Sequence, residues 1–481
     1  MNSKWETTIG IETHVQLLTK TKIFSSSNCS FGEKPNQNTN EIDIALPGSL
    51  PVANIEAIKC AIKFGLAVNA KISCDSRFDR KHYFYPDLPK GYQTSQFHKP
   101  ILQGGNICFY EDDIKKTINL VEAHLEEDAG KLIHQSFSTG IDLNRAGMPL
   151  LEIVTHPEIC SAQEAVAYAK TLHNLVVWLG ICDGNMQEGS FRCDANVSVK
   201  LKNTKELGTR TEIKNINSFK FLEKAILFES KRQINLLEQN KLVIQETRLY
   251  DSEKNETRSM RNKEDAIDYR YMPDPDLPVI YITPELIETT RKNLPELPDN
   301  KRIRFEKEYN LTKSDASQLS SSINIANYFE SIVSQLPKGN EKIVANWMIG
   351  DLNAFMNKYN KTIEEIPIEA KTIATMIEKI IDGTLSNKNA KDVFEILWNN
   401  EKSNIDDIIE KNGLKQINDD SIIIDIINSI LANNRNIVED YKSGKEKAFN
   451  SLIGKIMKES KGRANSSQIR ELLKQQLCKI N

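Results

Sequence analysis

Glu12 and His14 stand two residues apart in the alternating run Ile9-Gly10-Ile11-Glu12-Thr13-His14-Val15, so a strand there presents both on one face. His124, Glu126 and Asp128 share a face in the same way, with Glu127 opposite. Glu152 lies inside Met148-Pro149-Leu150-Leu151-Glu152-Ile153-Val154, an otherwise apolar strand. Glu212 accompanies Arg210 and Lys214 in Gly208-Thr209-Arg210-Thr211-Glu212-Ile213-Lys214-Asn215. A carboxylate embedded in Leu-Leu-Glu-Ile-Val is costly to bury unless an arginine or a divalent cation neutralises it. Several carboxylates with one imidazole favour a hard ion, Mg²⁺ or Mn²⁺, over zinc. Taken singly, each acid reads better as a surface residue or half of an ion pair. Taken together they form a candidate cation site, although periodicity leaves open which strands are neighbours.

Groups suited to phosphate accompany the acids. Arg145 precedes Gly147 in Asp142-Leu143-Asn144-Arg145-Ala146-Gly147. Arg80-Lys81-His82 opens a loop rich in aromatics and prolines, and Lys90-Gly91 closes it. Asn217-Ser218 is placed to cap a helix directly after the Glu212 strand, and its free amides suit an anion. The competing reading is that Arg80 and Arg145 pair with local aspartates. The chain has no Gly-x-x-x-x-Gly-Lys-Ser/Thr loop, no Gly-x-Gly-x-x-Gly and no Gly-x-Ser-x-Gly elbow. A nucleotide site here is therefore not of the P-loop type.

These residues need a sheet to hold them. Residues 1 to about 290 read as strands interrupted by a few helices. Ile9, Ile11, Thr13, Val15 and Leu17 alternate with Gly10, Glu12, His14 and Gln16. Cys193, Ala195, Val197 and Val199 alternate with Arg192, Asp194, Asn196 and Ser198. Such strands suit a sheet with one face on a core and one open face. Ser161 with Glu164 forms a capping box for a helix reaching Leu179, and Gly180 stops it. Asn54 caps another helix, with Ile55, Ile58, Ile62 and Leu66 as its stripe.

From about Pro295 the texture becomes helical. Ile373, Met376, Ile377, Ile380 and Ile381 repeat at helical spacing before Gly383. Ala390, Val393, Phe394 and Leu397 form a second stripe, and Ala448, Phe449, Leu452, Ile453 and Ile456 a last one. Tyr83-Phe84-Tyr85-Pro86-Asp87-Leu88-Pro89 is echoed by Tyr269-Arg270-Tyr271-Met272-Pro273-Asp274-Pro275-Asp276-Leu277-Pro278, either a duplication or two unrelated Pro-Asp turns.

The 481 residues suffice for roughly two to four domains. With 39% apolar and 27% charged residues the chain is an ordinary soluble mix. No apolar run is long enough for a membrane span, and the N-terminus leaves no room for a signal peptide. The eight cysteines contain no Cys-x-x-Cys, which fits a reducing, cytoplasmic setting and predicts neither a zinc ribbon nor a redox pair. Net charge is −3, yet residues 441–481 hold ten Lys/Arg against three Asp/Glu. A basic tail on an acidic body reads as a phosphate-backbone contact or as a solvated helix face.

Beyond this the segments are similar to a known family. Phe78-Asp79-Arg80-Lys81-His82-Tyr83-Phe84-Tyr85-Pro86-Asp87-Leu88-Pro89-Lys90-Gly91-Tyr92-Gln93 resembles a hallmark stretch of the B subunits of the glutamyl/aspartyl-tRNA amidotransferases, the GatB family. So do the Glu12, Glu126, Glu152 and Glu212 segments, Arg192-Cys193-Asp194-Ala195-Asn196, Asp268 to Asp276, Asp382-Gly383-Thr384 and Ser460-Lys461-Gly462-Arg463-Ala464-Asn465. The resemblance runs the whole length in order.

It implies an α+β fold: an antiparallel-sheet cradle over residues 1–293, a helical domain over 294–405 and a helical YqeY-like tail over 406–481 that contacts tRNA. It implies a component of a three-part enzyme, one that phosphorylates the side-chain carboxylate of glutamyl-tRNA(Gln) or aspartyl-tRNA(Asn) with ATP and Mg²⁺. Ammonia then displaces the phosphate. The glutaminase, or A, component supplies that ammonia, and the small C component clasps the other two. By resemblance, Glu12, His14, Glu126 and Glu152 are metal candidates, and Glu126, Glu152, Lys214 and Arg145 catalytic candidates. Arg80, Glu212, Asn215 and Asp194 are candidates for the nucleotide, with Glu127 and Asp128 behind them. Lys455, Lys458, Lys461 and Arg463 are candidates for tRNA. Some family members carry paired cysteines for zinc; their absence here predicts none. Thr155-His156-Pro157 has a histidine where the family often has an acid. Two rival readings are a tRNA-binding scaffold without chemistry and a metal-dependent nuclease. High Lys, Ile and Asn usage points to an AT-rich genome, bacterial or organellar.

Overall fold

The computed structural model describes residues 4–111, 114–260, 269–400, 403–417, 419–460 and 463–479. The chain divides into two compact units, Met1–Leu297 and Pro298–Asn481.

In the first unit the strands and helices that matter for the site are β1 (Trp5–Gln16), α1 (Ile55–Ala67), β2 (Asp79–His82), β3 (Tyr92–Ser95), β4 (Ile114–Glu127), β5 (Pro149–Thr155), α2 (Ala162–Trp178), β6 (Phe191–Leu201), β7 (Thr211–Lys214), α3 (Phe219–Glu238), β8 (Thr247–Asp251), β9 (Glu256–Ser259) and β10 (Met272–Pro273). Among the described residues one sheet has ten strands. Its order runs β9-β8-β7-β6-β1-β5-β4 and continues through short strands at Leu102–Gln103 and Lys71–Ile72, with Asn106–Glu111 hairpinned onto β4. Every junction is antiparallel except β7 with β8, so the sheet is mixed. The helix α3 lies between those two strands in the chain, and such a crossover returns a strand parallel to its predecessor.

The two faces of the sheet differ as the alternation predicts. Ile9, Ile11 and Val15 of β1, Leu151 and Ile153 of β5, and Cys193, Ala195 and Val197 of β6 are all buried. They pack in one core with Ala165, Tyr168, Ala169 and Leu172 of α2, Leu222, Ala225 and Ile226 of α3, and Ala61, Ile62 and Phe64 of α1. Each such aliphatic side chain contributes about 1.5–3 kcal/mol by leaving water. The opposite face carries the acids.

The helices start where the caps are. Asn54 Oδ1 accepts from the Glu56 amide, Ser161 Oγ from the Glu164 amide and Ser218 Oγ from the Phe221 amide. The capping box at Ser161 is modified: the Glu164 carboxylate reaches back to the amide of Cys160 rather than that of Ser161. Gly180 follows α2 with a positive φ of 64°, the left-handed turn that ends it.

β4 contains the one irregularity on which the site depends. Its register against β5 shifts between Val154 and Thr155, which oppose Glu122 and Leu120. Before the shift Ile118 and Leu120 are buried; after it Ala123 and Leu125 are. The bulge thus moves the buried set from even to odd positions, which turns His124 and Glu126 onto the open face.

The second unit is helical. Residues Ala370–Ile381 and Asn387–Asn399 form helices whose stripes are those read from the sequence. Its last part packs Ile423, Ile427, Leu452, Ile456, Ile469 and Leu473 into a separate cluster. No helix among the described residues is long and apolar enough to cross a membrane.

Candidate functional site

The strand register lines polar residues up across five strands. On β1, His14 faces Glu152 of β5 and Arg192 of β6, and Glu12 faces Asp194. Glu152 faces His124 of β4, and Asn196 of β6 faces Glu212 of β7. Residues opposed in an antiparallel pair point to the same side, so this is one stripe on the open face.

At the β1-β5-β4 end the stripe closes into a nest. His14 Nε2 lies 3.4 Å from Glu126 Oε1 and 3.6 Å from Glu152 Oε2. His124 Nε2 lies 3.1 Å from the same Glu152 oxygen, and its Nδ1 lies 3.6 Å from Glu122 Oε1. Burial pushes the Glu126 carboxyl up, and the neighbouring Glu152 charge pushes it further, against the pull of both imidazoles. Burial also works against the Glu152 carboxylate, but His124 and His14 outweigh it and hold Glu152 below the usual carboxylate range. His124 is the counterpart: burial disfavours its charged form, yet Glu152 and Glu122 push it up to about 10. The nest therefore holds one firmly ionised carboxylate and one that resists ionisation.

Donor atoms of His14, Glu126 and Glu152 all lie within 4.8 Å of one another. Ligands at about 2.1 Å from a common ion stand roughly 3–4 Å apart, so the three fit a divalent cation after small side-chain adjustments. Charge also fits, since a cation would relieve the repulsion that raises Glu126.

At the β1-β6-β7 end a second acid group is occupied by a lysine. Lys214 Nζ lies 3.0 Å from Glu212 Oε1 and 3.5 Å from Asp194 Oδ2. Glu212 also accepts from Thr247 Oγ1 at 2.7 Å, and Glu12 accepts from Asn196 Nδ2 at 2.7 Å. Burial raises Glu12 and Asp194 above their ordinary range. Burial works against the Lys214 cation, but Asp194 and Glu212 hold it charged to higher pH than usual.

The sheet domain that carries this stripe matches a known family. Residues 7–288 match the GatB/GatE catalytic domain, and residues 327–477 match the GatB domain that carries the YqeY name. The chain belongs to the GatB family. It is 58% identical to the B subunit of the aspartyl/glutamyl-tRNA(Asn/Gln) amidotransferase of Bordetella petrii, over 98% of this chain and 99% of that one. The B subunit from Bordetella pertussis is 57% identical over the same shares, and that from Burkholderia lata 54% over 99% and 100%.

The remaining residues singled out in the sequence fall outside the nest of this GatB-family chain. Arg80 pairs with Asp274 at 3.2 Å and with Asp276, and its guanidinium lies 4.3 Å over the Tyr92 ring. Arg145 donates to the carbonyls of Ala129 and Gly130 and lies 3.5 Å from Asp128, which Arg192 also meets at 3.1 Å. Both arginines thus have the aspartate partners that the competing reading gave them, although those of Arg80 are distant in sequence. Asn215 ends β7 at φ 67°, and its Nδ2 donates to the Tyr250 carbonyl at 3.2 Å. Glu127 faces away from the nest and accepts from the Thr94 amide and from Lys90, tying β3 to β4. In the second unit Lys455 and Lys458 are exposed on the helix Glu446–Glu459, and Arg463 bonds the Ser460 carbonyl. Lys461 lies outside the described residues.

Sequence reasoning placed His124 and Arg192 on the acid face but gave them no role. It also left the echoed aromatic loops apart. In the structure β2 pairs with β10, the His82 amide donates to the Tyr269 carbonyl at 2.8 Å, and the Tyr83 and Tyr269 rings meet at 6.1 Å. The repeated Tyr-Pro-Asp pattern was the available signal.

Proposed function

We propose that this chain is the component of a tRNA-dependent amidotransferase that activates and amidates the acceptor carboxylate. The substrate would be glutamyl-tRNA(Gln), aspartyl-tRNA(Asn) or both, in the cytoplasm. A separate glutaminase would supply ammonia and a third, small component would complete the enzyme. That the relatives are named as one lettered subunit among several supports such an assembly. The observation that carries the reading is the buried nest of His14, Glu126 and Glu152 on a domain of this family.

In this reading a side-chain carboxylate oxygen of the substrate attacks the γ-phosphorus of ATP and the bond to the leaving ADP breaks. Ammonia then attacks the acyl carbon, loses a proton, and phosphate departs. Phosphoryl transfer asks a protein chiefly for positioning and charge neutralisation. His14, Glu126 and Glu152 would hold Mg²⁺, with Glu12 beside them; the ion would supply charge for the phosphates. Lys214, kept protonated by Asp194 and Glu212, would face developing negative charge from the other end of the stripe. Arg145 and Arg80 would act on phosphate only after exchanging their present partners. Asn215 lies beside this end of the stripe. The proposed organisation is a cradle over 1–293, a helical domain over 294–405 and a tRNA-binding tail over 406–481 using Lys455, Lys458, Lys461 and Arg463.

The test is to co-express the chain with its partner proteins and supply glutamyl-tRNA(Gln), ATP, Mg²⁺ and ammonium chloride. Free ammonium bypasses the glutaminase, so ADP release and the aminoacyl product report on this chain. Glutaminyl-tRNA with matching ADP, both lost in Glu126→Ala or Glu152→Ala, is the expected result. Tight tRNA binding with neither product, in a folded complex, would leave only a scaffold.

A further inference from the structure

Beside the acid nest lies a group of aromatic rings that the chemistry above does not use. Phe97 stacks on Tyr271 with centroids 4.2 Å apart and planes 9° from parallel. Tyr271 meets Tyr269 edge-on at 6.0 Å, and Tyr269 meets Tyr83 at 6.1 Å. Lys81 Nζ lies 4.7 Å over the Tyr269 ring. Phe97 gains little from burial, since it keeps 57% of its surface in solvent, whereas Tyr271 beneath it is half-buried.

The rings are held rigidly. The fully buried Asp79 carboxylate accepts the amides of Phe97 and His98 at 2.9 Å and meets His98 Nδ1 at 2.9 Å. Gln96, next to Phe97, accepts the Leu125 amide at 3.0 Å, one residue from Glu126. His82 Nδ1 lies 3.0 Å from the Arg270 carbonyl and fixes the strip carrying Tyr269 and Tyr271. Burial raises the Tyr83 and Tyr271 hydroxyls above their usual range. The Glu126 charge adds to this at both rings, and the Glu152 charge at Tyr271, in keeping with the bond that ties Gln96 to the strand of Glu126. The Lys81 charge, over the Tyr269 ring, also reaches Glu126 and Glu152 and favours their ionised forms.

We propose that Phe97 and Tyr271, flanked by Tyr269 and Lys81, form the stacking platform for the terminal base of the aminoacyl-RNA substrate. The inference rests on the function proposed above. Its base is joined through one ribose to the amino acid whose side chain must reach the nest, so it cannot lie far from it. An open, exposed ring surface with a neighbouring cation is how proteins take single-stranded ends. The base of a mononucleotide is more commonly enclosed in a concave pocket.

The test uses the full complex and an uncharged tRNA carrying 2-aminopurine in place of its terminal adenine. Stacking quenches this fluorophore. We expect quenching on binding, with Phe97→Leu and Tyr271→Leu abolishing it and weakening RNA binding about tenfold. Phe97→Trp should retain both, and the KM for ATP should not move in any variant. Unquenched fluorescence in the bound wild-type complex overturns the proposal. So does a Phe97→Leu complex with intact quenching and a raised KM for ATP, which would assign the platform to the nucleotide. Quenching here, with no ADP release from glutamyl-tRNA(Gln) in the assay described above, would remove the kinase reading and leave the platform. Full amidation of glutamyl-tRNA(Gln) in that assay, with no quenching here, would do the reverse.

Discussion

His14 and Glu152 stand directly opposite each other across the β1-β5 ladder, and their side chains meet at 3.6 Å. Glu152 is held from its other side by His124 at 3.1 Å. A carboxylate oriented by an imidazole behind it is the arrangement that tunes a metal ligand. Mn²⁺ binding followed by calorimetry should therefore be lost in Glu126→Ala and weakened about 10–100-fold in His124→Ala. The same ion at about a hundred times its Kd should stabilise the wild type by about 2.7 kcal/mol and leave Glu126→Ala unchanged. Equal thermal shifts in both proteins would remove the ion from this nest.

How much of this was legible in the sequence depends on the residue. Alternation put Glu12 with His14, and His124 with Glu126, on common faces, and the structure keeps both pairs together. Which strands are neighbours was not legible, because β1 pairs with β5 and β6 across more than a hundred residues of chain. Nor was the bulge opposite Val154, since a simple period of two from Ile118 and Leu120 would have turned Glu126 into the core. Arg80 shows a further limit: residue type marked it for phosphate, but its aspartates come from a segment nearly two hundred residues later.

Glu229 of α3 is fully buried and collects donors from five residues, Gln233 Nε2 at 3.1 Å among them. Arg232 reaches it at 2.6 Å, Arg248 at 3.3 Å, Thr257 Oγ1 at 2.7 Å and Thr211 Oγ1 at 2.8 Å. It ties α3 to β7, β8 and β9, and so supports the Glu212 end of the stripe. Replacing it with alanine takes the buried carboxylate from two arginines, which then keep only Glu246 in common, and should cost about 3 kcal/mol in urea unfolding. Burial works against the Glu229 carboxylate, but its bonds to Arg232 and Thr257 hold it below its ordinary value of 4.5. A group lowered on folding stabilises above its unfolded value and loses that contribution as pH falls through its folded value. Stability of the wild type should therefore fall as pH drops below about 4.5, and Glu229→Gln should flatten that slope. An unchanged slope would take Glu229 out of the acid transition.

Gly184 sits at φ 74°, and its carbonyl lies 2.7 Å from His173 Nε2 on α2. A β-carbon there would come within 2.5 Å of that ring nitrogen and 2.7 Å of Val177 Cγ2. The ring cannot retreat, because His173 packs between Phe191 and Phe219. Gly184→Ala combines left-handed strain with a steric clash and should lower stability by about 3 kcal/mol. Thermal unfolding within a degree or two of the wild type would show that the turn relaxes.

The tail makes a prediction that separates charge from fold. Lys455 and Lys458 point to solvent from the same helix whose Leu452 and Ile456 are buried in the tail's own core. Changing the two lysines to glutamine leaves that packing untouched, so the melting temperature should not move. If the basic tail contacts the tRNA backbone, each lost phosphate contact should weaken binding and reduce the slope of log affinity against log salt by about one. A bland solvated face would show neither effect. Affinity and slope measured together decide it: a shallower slope with weaker binding assigns the tail to RNA. Weaker binding at an unchanged slope would instead point to a lost contact that is not with phosphate.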